Sequence, residues 1–227
     1  MAAQKPGGDF LAGLGTGVYS YRAAADLLQV SSRRIRSWAE GYSYQVLSGP
    51  KKAKPVLQRP KPERGILTFN DLVELFWVKA FIEKRVKLGN VRKAAERLAT
   101  RLNDPYPFAS VELKLHGSEL IAESFEGLVN PSIGQRVFDV IRPFLEQLEF
   151  QPDGSAVWRP ASGVVIDPKR SFGEPLVETC GIRTDILYNS YMAEGRKAEP
   201  TADWYKVSPA DVMTAYHYEV RCRKRAA

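Results

Sequence analysis

Arg33, Arg34 and Arg36 crowd one short stretch, Arg33-Arg34-Ile35-Arg36-Ser37-Trp38-Ala39-Glu40. A guanidinium can donate two parallel hydrogen bonds to a guanine edge or to a phosphate. In a helix, Ile35, Trp38 and Ala39 fall at spacings of three and four and share one face. Arg33, Arg34, Arg36 and Ser37 are then left on the other sides. An apolar stripe for anchoring and a basic side facing outward is what a helix laid in a major groove requires. An ordinary amphipathic helix with a solvated face has the same composition, so the surroundings must decide.

The surroundings are cationic. The first 65 residues hold eleven Lys and Arg against four Asp and Glu, so they account for the whole net charge of +7. The rest of the chain is balanced. A local surplus of this kind points to an anionic partner, because neutralising phosphates releases condensed counterions. Lys51, Lys52 and Lys54 follow the arginines in a proline-rich loop, where they would touch phosphates or enter a minor groove. A second basic run, Arg221-Cys222-Arg223-Lys224-Arg225, lies near the other end.

Catalytic chemistry finds little support. There is no G-x-x-x-x-G-K-[ST], no His-Glu-x-x-His and no Cys-x-x-Cys. Gly13-Leu14-Gly15-Thr16-Gly17 lacks the apolar strand that a dinucleotide site needs before it. His116 and His217 lie far apart and form no pattern with Cys180 or Cys222, so no Cys/His nucleophile is assigned. Two cysteines make neither a disulfide framework nor a structural zinc site. Cys180 reads as a packing residue and Cys222 as an incidental thiol. No apolar run approaches the ~18 residues of a membrane span. The reading is therefore a cytoplasmic protein with reduced thiols, not an enzyme, with no cofactor, metal or membrane implied.

The elements that must position these groups follow from caps and periodicity. With 44% hydrophobic and 26% charged residues the chain is ordinary globular material. Residues 1–17 form a Gly- and Ala-rich flexible leader. Ser20 caps a helix over Tyr21–Gln29 with Ala24, Leu27 and Leu28 on its apolar face. Val30-Ser31-Ser32 makes the turn, and Gly41 ends the second helix. This is the helix-turn-helix pattern. Prolines at 50, 55, 60 and 62 exclude a helix, so Tyr42–Leu47 and Ile66–Phe69 are expected to pair as a long β-wing with a basic tip. Thr68 or Asn70 caps a helix running to about Leu88, stopped by Gly89. Another follows over Val91–Leu102, ended by Asn103-Asp104-Pro105.

Residues 106–163 read as a mixed α+β connecting region. Val111, Leu113 and Leu115 alternate as in a strand, with His116-Gly117 as the turn of a hairpin and His116 exposed. Val137–Phe150 fits a helix broken near Pro143, and Asp153-Gly154 a turn before Ala156–Trp158. From Val164 a strand ends at Asp167-Pro168. Thr184 or Asp185 opens a helix carrying Ile186, Leu187, Tyr191 and Met192, and Ser208-Pro209-Ala210-Asp211 opens a last one. Residues 221–227 are a basic tail. The fold class is mainly α with small β elements, an α+β chain divided at 18–105, 106–163 and 164–220.

Tyr21–Trp38, the wing, Leu67–Leu75 and Lys93–Leu98 together resemble the MerR-type winged helix-turn-helix family over residues 18–102. The resemblance implies a homodimer that lays its second helix in the major groove of an operator, with the wing beside it. The residues assigned to DNA are Ser20, Tyr21, Ser31, Ser32, Arg33, Arg34, Arg36, Ser37, Tyr42, Lys51, Lys52 and Lys54. Residues 164–220 carry Asp167-Pro168, Gly173-x-Pro175-x-Val177 and Ser208-x-x-Asp211. They resemble the small helical domain of unknown function (the four-three-three type) of VapB-like toxin–antitoxin antitoxins. Thr179-Cys180-Gly181 and Arg183 depart from that family's usual pattern. The resemblance implies a PIN-type ribonuclease toxin as partner. Arg221, Arg223 and Arg225 would then pair with the toxin's metal-binding carboxylates and exclude Mg²⁺. Three functions remain open on the sequence: an autorepressing antitoxin, an effector-responsive regulator of the MerR type with no toxin partner, or a scaffold that binds no DNA.

Overall fold

Two serines set the geometry of the first helices. In the computed structural model, which describes residues 17–59, 64–128, 146–151 and 156–224, Ser20 accepts the Ala23 N–H at 3.1 Å and opens α1 (Tyr21–Leu28). Ser31 accepts the Arg34 N–H and opens α2 (Ser32–Glu40). Gln29 closes α1 in the left-handed region, and Gly41 closes α2 at φ 81°. Each cap satisfies a backbone group that the helix end would otherwise leave unpaired. Ahead of α1, β1 (Val18–Ser20) pairs antiparallel with β4 (Ile66–Thr68).

The wing differs from its expected form. β2 (Tyr42–Val46) pairs with β3 (Gly49–Ala53), with Leu47-Ser48 at the tip, so the ribbon is a tight hairpin and not a long loop closed by Ile66–Phe69. Gly49 at φ 107° takes the chain around the turn. Pro50 is tolerated because a two-stranded ribbon has only edge strands.

α3 (Phe69–Glu83) starts at a capping box: the Thr68 hydroxyl accepts the Asp71 N–H, and the Asp71 carboxylate accepts the Thr68 N–H at 2.8 Å. It stops earlier than expected. Arg85 turns left-handed at φ 62°, Val86 donates to the Phe81 carbonyl and Arg85 to that of Ile82. That is a Schellman closure with Val86 tucked into the core. Gly89 consequently lies inside α4 (Leu88–Leu102) and not at the end of α3.

The hairpin expected over residues 110–122 is instead a helix, α5 (Val111–Ser124), interrupted at His116 by non-helical φ/ψ. Leu120, Ile121 and Phe125 are buried, a helical spacing that overrides the five-residue alternation before it. His116 is exposed, as expected, but at a kink. Leu148–Phe150 is a strand, β5, where the end of a helix was expected; the earlier part of that helix and the Asp153-Gly154 turn lie outside the described residues. With β6 (Ala156–Ala161), β7 (Val164–Ile166) and β8 (Leu176–Val177) it makes an antiparallel sheet in chain order. Three helices follow: α6 (Thr184–Ala193), α7 (Ala198–Tyr205) and α8 (Pro209–Lys224). Ser208 and Asp211 cap the last reciprocally. Burial opposes charge on Asp211, but the hydroxyls of Thr179 and Ser208 and the Ser208 N–H outweigh it and hold the carboxyl below its usual range.

α3 is the axis of the core. Trp77 stacks on Phe108 at 5.5 Å and Phe81 packs on Phe125 at 4.8 Å, while Phe76 meets Trp158 of β6 at 5.4 Å. The sheet thus belongs to the same core as the first helices. The buried Glu74 accepts the N–H groups of Phe108 (2.6 Å) and Ala109 (3.1 Å), and fixes the turn before α5. Among the described residues no helix is long and apolar enough to cross a membrane.

Candidate nucleic-acid interface

α2 buries Ile35, Trp38 and Ala39 and leaves Arg33, Arg34 and Arg36 exposed. The stripe read from the sequence is the one that packs. Among the described residues, neither Arg33 nor Arg34 makes an ion pair, while Arg36 lies 3.4 Å from Glu40. Glu40 also accepts the Tyr21 hydroxyl at 2.9 Å and lies 3.5 Å from Arg64. Tyr21 therefore ties the start of α1 to the end of α2. The Ser20 and Ser31 oxygens serve as caps, each accepting one backbone N–H, and their hydroxyl hydrogens remain to donate. Ser32 is exposed and Ser37 half-buried.

The hairpin stands on a rigid root. A Cβ at Gly41 would sit 2.3 Å from the Ala53 carbonyl oxygen, so only glycine permits this approach. Past β3 the chain turns back: Val56 donates to the Trp38 carbonyl at 2.8 Å, and Val56 and Leu57 are buried. Arg92 holds the Pro55 carbonyl from α4 at 3.2 Å. Arg59 is the main tie. It donates to Ala39 (3.2 Å) and Ile66 (3.0 Å) and lies 3.8 Å from Asp71, with both side chains at least 95% buried. Burial raises the Asp71 carboxyl above its ordinary value, and the Thr68 N–H, Arg59 and the Thr68 hydroxyl offset only part of that rise.

Tyr42 and Tyr44, each 43% exposed, lie on one face of the ribbon with rings 5.9 Å apart, and Lys51 opposite Tyr44 shares that face. Lys52 and Ser43 form the other face. Lys51, Lys52 and Lys54 are all exposed, but they sit on β3 and just beyond it, not at the tip. The tip is apolar, with Leu47 fully exposed.

The far basic run is not a loose tail. Arg221, Cys222 and Arg223 belong to α8, and Arg225 lies outside the described residues. Arg223 lies 4.2 Å over the Tyr188 ring and 3.3 Å from Glu219, while Arg221 lies 5.5 Å over Tyr218 and donates to the Pro160 carbonyl at 3.3 Å. Cys222 is half-buried against α1, and burial raises its thiol. It is not an incidental thiol on a tail. Two features escaped the sequence reading: the exposed Trp204 of α7 and the internal use of Arg59. Among the described residues no three His, Cys, Asp or Glu side chains are grouped to hold a metal ion.

No family model matches the chain. A relative named "Putative antitoxin VapB45", from Mycobacterium tuberculosis, is 27% identical to it, over 87% of this chain and 92% of that protein. The crystal structure of Rv2018 from Mycobacterium tuberculosis superposes with a TM-score of 0.65 at 22% identity, covering 87% of this chain and 96% of that one. The two chains share a fold.

Proposed function

We propose that this chain is the antitoxin of a toxin–antitoxin pair, binding duplex DNA through α2 and the β2–β3 hairpin and holding its toxin through residues 164–220. The observation that carries the DNA half is α2 itself: an arginine-bearing face exposed opposite the buried Ile35, Trp38 and Ala39. The antitoxin half leans on the relative's name and on the length over which the two chains match.

In this reading Arg33 and Arg34 read base edges in a major groove, and Ser32, Ser37 and Arg36 contact the flanking backbone. Tyr42 and the lysines of β3 engage phosphates beside it. A homodimer presents two such helices to an operator in its own promoter and represses it. The toxin is a PIN-type ribonuclease, seated on α6, α7 and the part of α8 that ends at Val220. The exposed Trp204 is the kind of large, rigid side chain on which protein contacts centre.

Co-expression with the adjacent reading frame, followed by co-purification and a gel shift on the upstream DNA, tests both halves. The expected result is a stable complex with a small ribonuclease that retards its own promoter. A neighbour that does not co-purify, or promoter DNA bound no better than random sequence, removes the corresponding half.

A further inference from the structure

α8 reaches back to the helix-turn-helix. The Cys222 carbonyl accepts the Gln29 side-chain N–H at 3.4 Å, and Gln29 is the left-handed residue that closes α1. Ser31, the cap of α2, is two residues further on, and Arg33 and Arg34 follow it. Tyr218, Glu219 and Cys222 of α8 face Ala23, Asp26 and Leu27 of α1 across a small cleft. At the other end of α1, the buried Tyr19 hydroxyl donates to the Gly173 carbonyl at 2.8 Å. α1 is thus tied at both ends, and the last turns of α8 lie against the end of α1 that leads into the arginine helix.

Arg221 and Arg223 are exposed on those turns. Each lies over a tyrosine ring and uses part of its guanidinium on a neighbour, Pro160 or Glu219. A guanidinium carries five N–H donors, so donors remain for a partner. Stacking narrows the rotamers and lowers the ordering cost of a contact. Insertion deep into a ribonuclease's carboxylate cluster asks for a free basic tail; these two arginines are pinned along a helix.

We infer that the end of α8 is a third contact with the duplex: Arg221 and Arg223 pair with phosphates flanking the segment that α2 reads. The inference rests on the DNA-binding reading above. Cations within about 10 Å of the backbone act on it with little screening at moderate salt. Carried on the helix that meets the end of α1, they would widen the footprint without adding base specificity.

The test compares full-length wild type, Arg33→Ala/Arg34→Ala, Arg221→Ala/Arg223→Ala and Arg221→Lys/Arg223→Lys. Each is titrated against the upstream promoter duplex and a random duplex at several salt concentrations, with toxin co-purification read in parallel. The alanine pair at 221 and 223 is expected to weaken both duplexes about tenfold. The slope of log K against log salt should become shallower by about 1.8, two phosphates at ~0.9 each. Lysine should restore most of both, since a phosphate accepts a point charge. Toxin capture should be unchanged. If the alanine pair unfolds in a thermal melt, the single Arg221→Gln variant is read instead, with an expected change of about 0.9 in slope.

Unchanged affinity and slope, while Arg33→Ala/Arg34→Ala abolishes promoter binding, overturns this inference alone. Loss of toxin capture with DNA binding intact overturns it in favour of carboxylate pairing. Wild type that fails to bind either duplex overturns the DNA-binding reading along with it.

Discussion

The two cationic helix ends of the molecule are built on opposite plans. At the start of α2, Arg33 and Arg34 form no ion pair among the described residues, and their helix is held from its other side by Ile35 and Trp38. At the end of α8, Arg221 and Arg223 lie over tyrosines, and each has an intramolecular hydrogen bond. An arginine left in solvent can adapt its fork to a base edge. One already stacked offers a fixed charge. Residue type is the same in both places, so in the proposed reading the packing beneath it is what would separate a reader of sequence from a reader of backbone.

Breaking the first plan should give the largest effect. Arg33→Ala/Arg34→Ala is expected to abolish promoter preference, a loss of about 2–6 kcal/mol for two bidentate contacts. The thermal midpoint should stay near wild type because both side chains are exposed. Retained preference in a gel-shift titration removes α2 from recognition.

Next comes the seam that joins the two regions. A Cβ at Gly173, which sits at φ 80°, would lie 2.2 Å from the Tyr19 hydroxyl oxygen. Gly173→Ala should lower stability by about 1–3 kcal/mol through overpacking and left-handed strain. Adding Tyr19→Phe should recover part of the clash term. A wild-type denaturation midpoint for Gly173→Ala would mean that this seam is slack.

A smaller effect tests the ribbon against α2. Lys51→Ala, Lys52→Ala and Lys54→Ala together should weaken specific and random duplexes alike and flatten the salt slope by about 2.7. A loss confined to the promoter would make the ribbon a reader of bases.

The smallest effect concerns the core shared by both regions. Burial pushes the Glu74 carboxyl well above its ordinary value of 4.5, more than its two N–H donors pull it down. A folded value raised above the unfolded one gives stability that is full in acid and fades as pH climbs through the folded value. Glu74→Gln keeps an acceptor for Phe108 and Ala109 but does not titrate. Its thermal midpoint should therefore gain on wild type as pH rises above about 4.5. Parallel melting curves at every pH would deny the shift.

How much of this was legible follows from where the information lies. The α1–α2 unit could be read because its caps are serines and its stripe is local. The hairpin was joined to the wrong strand: Gly49–Ala53 holds Pro50, Lys51 and Lys52, poor strand formers, while Ile66–Thr68 looks better and pairs elsewhere. α5 was missed because alternation over Val111–Leu115 is too short to outweigh the later Leu120, Ile121 and Phe125. Arg59 could not be told from its basic neighbours, since its three ties come from residues 39, 66 and 71. The contact of α8 with α1 joins positions 193 apart and leaves no local trace.

The glycine at the foot of the ribbon fixes a dimension. With Ala53 pressed on Gly41 and Arg59 bolting down the return path, the arm and α2 move together like a calliper locked at one gauge. In the DNA-binding reading proposed above, a duplex would be accepted or refused according to the distance between its adjacent grooves, and a single methyl group at position 41 would reset that gauge.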